Sequence, residues 1–313
     1  MVECERQNFA SMCTVTWLPL EDGYEVFCNR DELKTRKPAL PPAFAERNGV
    51  RALAPIDADG GGSWLGVNEL GVSLCLVNHY PLQIPNAAGE KRERGFFEKD
   101  GDQGKSLNAA SPQSFRSRGL LLTELLDCVS PEVVATRLER EMMGQYRPFI
   151  LLVFGLLAPF RMFVWNGETM LHQHLNDADL PVTSSSFETE PVIGSRGRAF
   201  NETVREKKIM TPDLLVRFHR SHLPERSAYS VCMHRDDAAT VSCTHLRVSP
   251  VKAELRYLPH APCSGSEPKC FSLSLEPNEN LLAEGYQARA KLNAETVAES
   301  LAAQMLAMEL RYE

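Results

Sequence analysis

The chain has 313 residues, 43% hydrophobic and 24% charged, enough for a sizeable core in one large domain. Its formal net charge of -7, with acids and bases mixed along the sequence, argues against a nucleic-acid or anionic-membrane partner, because both select a basic face. No apolar run approaches membrane-spanning length; the longest, Ile150 to Phe160, is broken by Gly155 and Pro159.

Residues 1–11 carry charges where a signal peptide needs an apolar stretch, so a cytoplasmic, reducing compartment is expected. Nine cysteines at irregular spacings then read as free thiols, most of them small buried hydrophobes. No CxxC pair occurs, which gives a structural zinc site little support from spacing.

In chain order, CTVTWLPL from Cys13 and YEVFC from Tyr24 flank Glu21-Asp22-Gly23 and predict a hairpin. The chain is expected to leave the second strand through Asn29-Arg30-Asp31-Glu32. A segment with Pro38, Pro41 and Pro42 follows, which excludes regular helix. Gly60-Gly61-Gly62 precedes a second hairpin, SWLGVN and VSLCLVNHY, turning at Glu69-Leu70-Gly71. Residues 86–117 are polar and read as a long loop. Helical spacing recurs over 118–128 and 131–143, the second with Ser130 as N-cap and Pro131 at its first position. FILLVFGLL and FRMFVWNG predict buried strands. A polar stretch over 183–201 leads to a helix near 201–222. AYSVCMHR, ATVSCTHLRV and AELRYLPH read as strands, and a last amphipathic helix covers about 292–311. The order predicts an α+β fold with antiparallel sheets and segregated helices. The expected organisation is a leader over 1–12, a domain over 13–263 and a helical extension over 264–313.

Cys13 is the thiol that stands apart. A thiol attacks an amide only if something takes its proton, something orients it and something receives the oxyanion. If translation begins at Met12, removal of that methionine leaves Cys13 with a free amine that serves as the base. The alternative is a chance Met-Cys dipeptide at a strand start. Arg30 and Asp31, just after the paired strand, fall near Cys13 at the hairpin ends. There Asp31 would orient the amine and Arg30 would lower the thiol pKa. The alternative is an exposed ion pair on a surface turn.

Four ordered motifs bear on the choice: Met12-Cys13, Asn29-Arg30-Asp31-Glu32, Gly61-Gly62-Ser63-Trp64-Leu65-Gly66 and Leu76-Val77-Asn78-His79-Tyr80. With them the chain resembles the NRDE family, the transport and Golgi organisation protein family. Asn68-Glu69-Leu70-Gly71 and Val77-Asn78-His79-Tyr80-Pro81 are similar, more distantly, to bile-salt hydrolases and penicillin V acylases. The stretch from Ser230 to Val248, with Leu258 to Cys263, is similar to the acyl-coenzyme A:6-aminopenicillanic-acid acyltransferase-like family.

The resemblance implies a four-layer αββα sandwich of the N-terminal-nucleophile hydrolase type. It also implies a cysteine amidohydrolase or acyltransferase acting on a linear small-molecule amide. Carried onto this sequence, Cys13 is the nucleophile and its amine the base, Arg30 and Asp31 tune it, and Asn78 donates to the oxyanion, mainly through its backbone N–H. Ser184 stands where the hydrolases carry an asparagine donor, and Arg196 or Arg198 where they carry a late arginine. Asn29, Trp64, His79 and Arg196 are the candidate substrate-binding residues. A retained leader would block the amine. The alternative role is a non-catalytic member that binds or hands over haem or lipid, although no Cys-Pro haem motif occurs.

No cofactor or metal is expected. His172 and His174 share a strand face but lack a third ligand nearby in sequence. His219 and His222 read as a solvated helix face, and His234 as part of a strand exit. Oligomeric state stays open.

Overall fold

The structure is a computed structural model, and it describes residues 12–80, 115–156 and 158–276. The expected leader, most of the 86–117 loop and the helix near 292–311 lie outside the described residues.

Two antiparallel sheets form the centre of the fold. The first has the order β10-β1-β2-β11-β12-β13. Its strands are β1 (Met12–Leu20), β2 (Gly23–Leu33), β10 (Val182–Thr183), β11 (Ala238–Val248), β12 (Lys252–Leu258) and β13 (Lys269–Ser274). The second runs in chain order from β3 (Leu40–Arg47) through β4 (Val50–Ile56), β5 (Leu65–Asn68), β6 (Ser73–Asn78), β7 (Phe149–Phe154) and β8 (Arg161–Trp165) to β9 (Met170–His174). The helices are α1 (Arg118–Leu125), α2 (Pro131–Arg140), α3 (Thr189–Phe200) and α4 (Pro212–His219).

Strand alternation sorts side chains into layers. Along β6, Leu74 joins the cluster containing Leu121, Leu122 and Val134 of α1 and α2, whereas Cys75 and Val77 join the cluster between the sheets. That inter-sheet core holds Val15, Trp17 and Val26 from the first sheet and Val67, Leu152 and Phe154 from the second. Behind the first sheet, the ring of His219 at the end of α4 stacks on Phe27 of β2, centroids 5.9 Å apart. The order is therefore helices, sheet, sheet, helices: the four-layer αββα sandwich.

Several expectations shift. Asn29-Arg30-Asp31-Glu32 does not leave the strand; it lies inside β2, whose first ten residues are all buried. A central strand covered on both faces buries every position, and these polar side chains are held there by tertiary partners. The helix expected over 201–222 resolves into α3, a π-helical turn at Asn201–Arg205, and α4, whose start is marked by the Thr211 cap and Pro212. AYSVCMHR is not a strand. Its backbone bonds to loops and side chains instead: Cys232 N–H donates to Ser221 O, and Val231 O accepts from Asn29 Nδ2. Residues 269–274, placed in a helical extension, form β13 and pair with β12. The α1 and α2 expectations hold, with Ser130 accepting from Val133 N–H as the cap.

Candidate active site

β1 brings Cys13 to one end of the inter-sheet space, where it lines a cavity of about 480 Å³. The walls come from β2 (Arg30, Glu32), the glycine-rich loop before β5 (Gly60, Gly62, Ser63), Trp64, Leu76 and Asn78, and residues 115–119 at the start of α1. Gly62 makes this wall possible. A Cβ there would sit 2.1 Å from the Gly119 carbonyl carbon, so the loop and α1 pack backbone to backbone.

The carbonyl of Cys13 accepts twice, from Ser184 N–H at 3.1 Å and from Thr183 Oγ1 at 3.1 Å. The residue is buried, 3% exposed. A hydrogen bond with Cys28, then burial, pushes the thiol pKa well above its ordinary value, while Arg30 pulls it down. The expected lowering by Arg30 thus has the right sign, and the opposing effects outweigh it. No histidine is among the cavity-lining residues.

Arg30 is locked in place. Its guanidinium lies 4.4 Å from the Trp64 ring centroid and bonds Asp57 at 3.1 Å and Glu32 at 3.4 Å. Trp64 Nε1 is buried without a hydrogen-bond partner among the described residues, as is Ser184 Oγ. Asn78 donates its side-chain amide to Tyr80 Oη at 3.4 Å.

Asp31 faces the other way, toward α3. The register sets it opposite Met12, one residue from the Cys13 amide. Its carboxylate accepts from Arg196 at 2.9 Å and Thr240 at 2.6 Å. Arg196 is fully buried and also donates to Thr14 and Thr183. Asn29, on the same face, donates to His219 O and Val231 O. Cys13, Arg30, Trp64 and Asn78 therefore share the cavity. Asp31, Arg196 and Asn29 form a buried network behind it, Ser184 joins through the Cys13 carbonyl, and His79 lies beside Asn78 with burial lowering its pKa.

Sequence reasoning missed the cavity's other charges: Arg36, Arg116, Arg118 and Arg147, against Glu32 and Asp57. With Arg30, five guanidinium groups face two carboxylates. Arg36 pairs with Asp57 at 2.6 Å. Arg118 is anchored by Pro148 O at 2.8 Å, and burial lowers its pKa. The one sequence signal was position: Arg116 and Arg118 stand where a long polar loop meets a predicted helix.

A cysteine at the start of β1, lining a cavity between the two sheets of an αββα sandwich, places the protein in the N-terminal-nucleophile hydrolase fold class. More particularly, the chain belongs to the Transport and Golgi organisation 2 family, which matches residues 12–242, as the four motifs implied. No curated protein matches it in sequence. Among solved structures it is similar to an N-acylethanolamine-hydrolyzing acid amidase ortholog from Caenorhabditis elegans (13% identity, 82% of this chain and 94% of that chain covered, TM-score 0.49). It is also similar to penicillin V acylase from Agrobacterium tumefaciens (10%, 84% and 86%, 0.44). A conjugated bile acid hydrolase variant from Clostridium perfringens is a third (10%, 83% and 96%, 0.43).

Proposed function

We propose that the protein is a cysteine N-terminal-nucleophile amidohydrolase or acyltransferase acting on a small amide that carries an anionic group. The observation that carries this reading is the placement of Cys13: a buried thiol beside Arg30 and Asn78 in an arginine-rich cavity, with Asp31 opposite the residue before it. A thiol whose pKa is raised needs a base. Among the described residues no histidine lines the cavity and its carboxylates, Glu32 and Asp57, are engaged by Arg30 and Arg36, so the α-amine of Cys13, freed by loss of residues 1–12, suits that task. Asp31, held by Arg196 and Thr240, would then orient the amine.

In the proposed reaction the amine takes the thiol proton and sulfur attacks the carbonyl carbon. Asn78 and Ser184 donate to the oxyanion, the C–N bond breaks, and the Cys13 ammonium returns the proton to the leaving amine. Water or a second amine then cleaves the thioester. Arg116, Arg118 and Arg147 suit an anionic substituent, and Trp64, Leu76 and Phe115 suit an apolar acyl chain.

Intact-mass analysis and N-terminal sequencing of the native protein test the reading, together with assays on N-acyl amino acids. The expected mature chain begins at Cys13, Cys13→Ser abolishes turnover, and Ser184→Ala, which removes the side-chain oxyanion donor, lowers kcat by about 10²–10³-fold. A native chain that retains Met12 overturns the amine-base mechanism. The raised pKa of the buried thiol favours a second reading: a non-catalytic cavity for an amphipathic anion such as haem or a fatty acid. Saturable binding unaffected by Cys13→Ser, with residues 1–12 retained, would establish it.

A further inference from the structure

On the opposite side of β2 from the cavity, three loop segments converge on one point. His222 follows α4, Cys232 and His234 lie on the irregular stretch before β11, and Cys263 sits in the 3-10 turn Pro262–Ser264 after β12. Their ligand atoms all lie within 4.8 Å of one another. His234 Nε2 is 3.2 Å from His222 Nε2, 3.5 Å from Cys232 Sγ and 3.4 Å from Cys263 Sγ.

A neutral imidazole nitrogen carries one proton or one lone pair, so it cannot satisfy three such neighbours at once. A cation at the centre can satisfy all of them. Tetrahedral zinc, with bonds of about 2.3 Å to sulfur and about 2.0–2.1 Å to nitrogen, spaces its ligands about 3.3 Å apart for N–N and about 3.6 Å for N–S. The observed separations fall close to those edges.

We propose that His222, Cys232, His234 and Cys263 form a closed Cys2His2 site for a structural zinc ion. Two thiolates and two neutral imidazoles select a borderline-soft ion over calcium or magnesium. Four protein ligands leave no open position, which marks a structural site rather than a catalytic one. Only Cys232 among the four is fully buried, so the ion has a path of entry. Arg226, 3.3 Å from His234 Nδ1 and exposed, turns outward when zinc takes Nε2 and leaves the proton on Nδ1.

The site staples a stretch that supports Asp31. Met233 N–H, between the two ligands Cys232 and His234, donates to Thr240 Oγ1, which in turn donates to Asp31. Spacing alone hid the set: four ligands spread over residues 222–263 match no short motif, and only the packing of two loops against a turn assembles them.

The test is elemental analysis of the full chain purified without chelator. About one zinc per chain is expected, falling at least about tenfold in the Cys232→Ser/Cys263→Ser double variant and unchanged in Cys270→Ser. Cys270 lies on β13 outside the set. X-ray absorption at the zinc edge of the unaltered protein, which needs no variant to fold, should give two sulfur and two nitrogen neighbours. Cobalt exchange should give tetrahedral d–d bands with thiolate charge transfer. The proposal is overturned by a chain that takes up no zinc against a chromophoric chelator, by iron or copper in place of zinc, or by a Cys232–Cys263 disulfide in protein isolated without oxidant.

Discussion

His219 closes the last turn of α4 with its Nε2 2.9 Å from Thr16 Oγ1. The residue is 1% exposed, not on the solvated face expected from its i,i+3 spacing with His222. Burial, aided by His245 and Arg196, lowers its pKa from the ordinary 6.5 to about 3. The folded state therefore holds it neutral, while the unfolded chain takes up a proton below about 6.5. Its contribution to stability is complete above that value and is lost as pH falls toward 3. Replacing it by glutamine should make the acid-side loss shallower, by up to about 1.4 kcal/mol per pH unit, in urea titrations of both proteins between pH 4 and 7. Asp31 and Arg196 teach a related lesson. Both are fully buried, and removing either partner alone would strand a charge at a cost of about 3–5 kcal/mol. Arg196 was singled out as a residue of the site. The structure puts it behind β1, where its contacts are with Asp31, Thr14 and Thr183.

Among the elements, β2 shows why a polar tetrad was misread. Asn-Arg-Asp-Glu has the composition of a turn, and without tertiary partners it would be one. Inside the fold Asn29 reaches loop carbonyls, Arg30 reaches Asp57 and Trp64, and Asp31 reaches Arg196 and Thr240, so the strand continues. The junction of the glycine-rich loop with α1 is equally specific. Gly62→Ala forces a Cβ within 2.5 Å of three α1 backbone atoms, none of which belongs to a flexible side chain. It should destabilise the protein by about 1–3 kcal/mol in thermal melts and weaken ligand binding, because the same contact sets the rim of the cavity. Gly144→Ala, with nothing within 4 Å, should stay within about 0.5 kcal/mol of the parent.

For the whole molecule, charge distribution matters more than net charge. The chain carries -7 overall, yet its cavity gathers five arginines against two carboxylates. Net charge argued against a polyanion-binding face and was silent about a local cationic pocket. An N-acyl amino acid should therefore bind more weakly as salt rises from about 0.1 to about 1 M, which shortens the Debye length from about 10 to about 3 Å. A neutral amide of the same chain length should show no such loss by calorimetry. Among the described residues no helix is long and apolar enough to cross a membrane. None of the eight described cysteines is in a disulfide.

By itself, the sequence determined what depends on near neighbours. Those features are the hairpin that starts at Cys13, the Ser130 cap of α2, the apolar runs that build the sheets, and four ordered motifs sufficient to name the family. Periodicity and capping are local, so they survive in a string of letters. Only the tertiary structure decided which polar residues meet. It separated Cys13, Arg30, Trp64 and Asn78 from Asp31 and Arg196 by the thickness of a sheet, because successive strand residues point to opposite faces. It also drew His222, Cys232, His234 and Cys263 together across three loop segments, and the long-range closure that does this leaves no spacing to read.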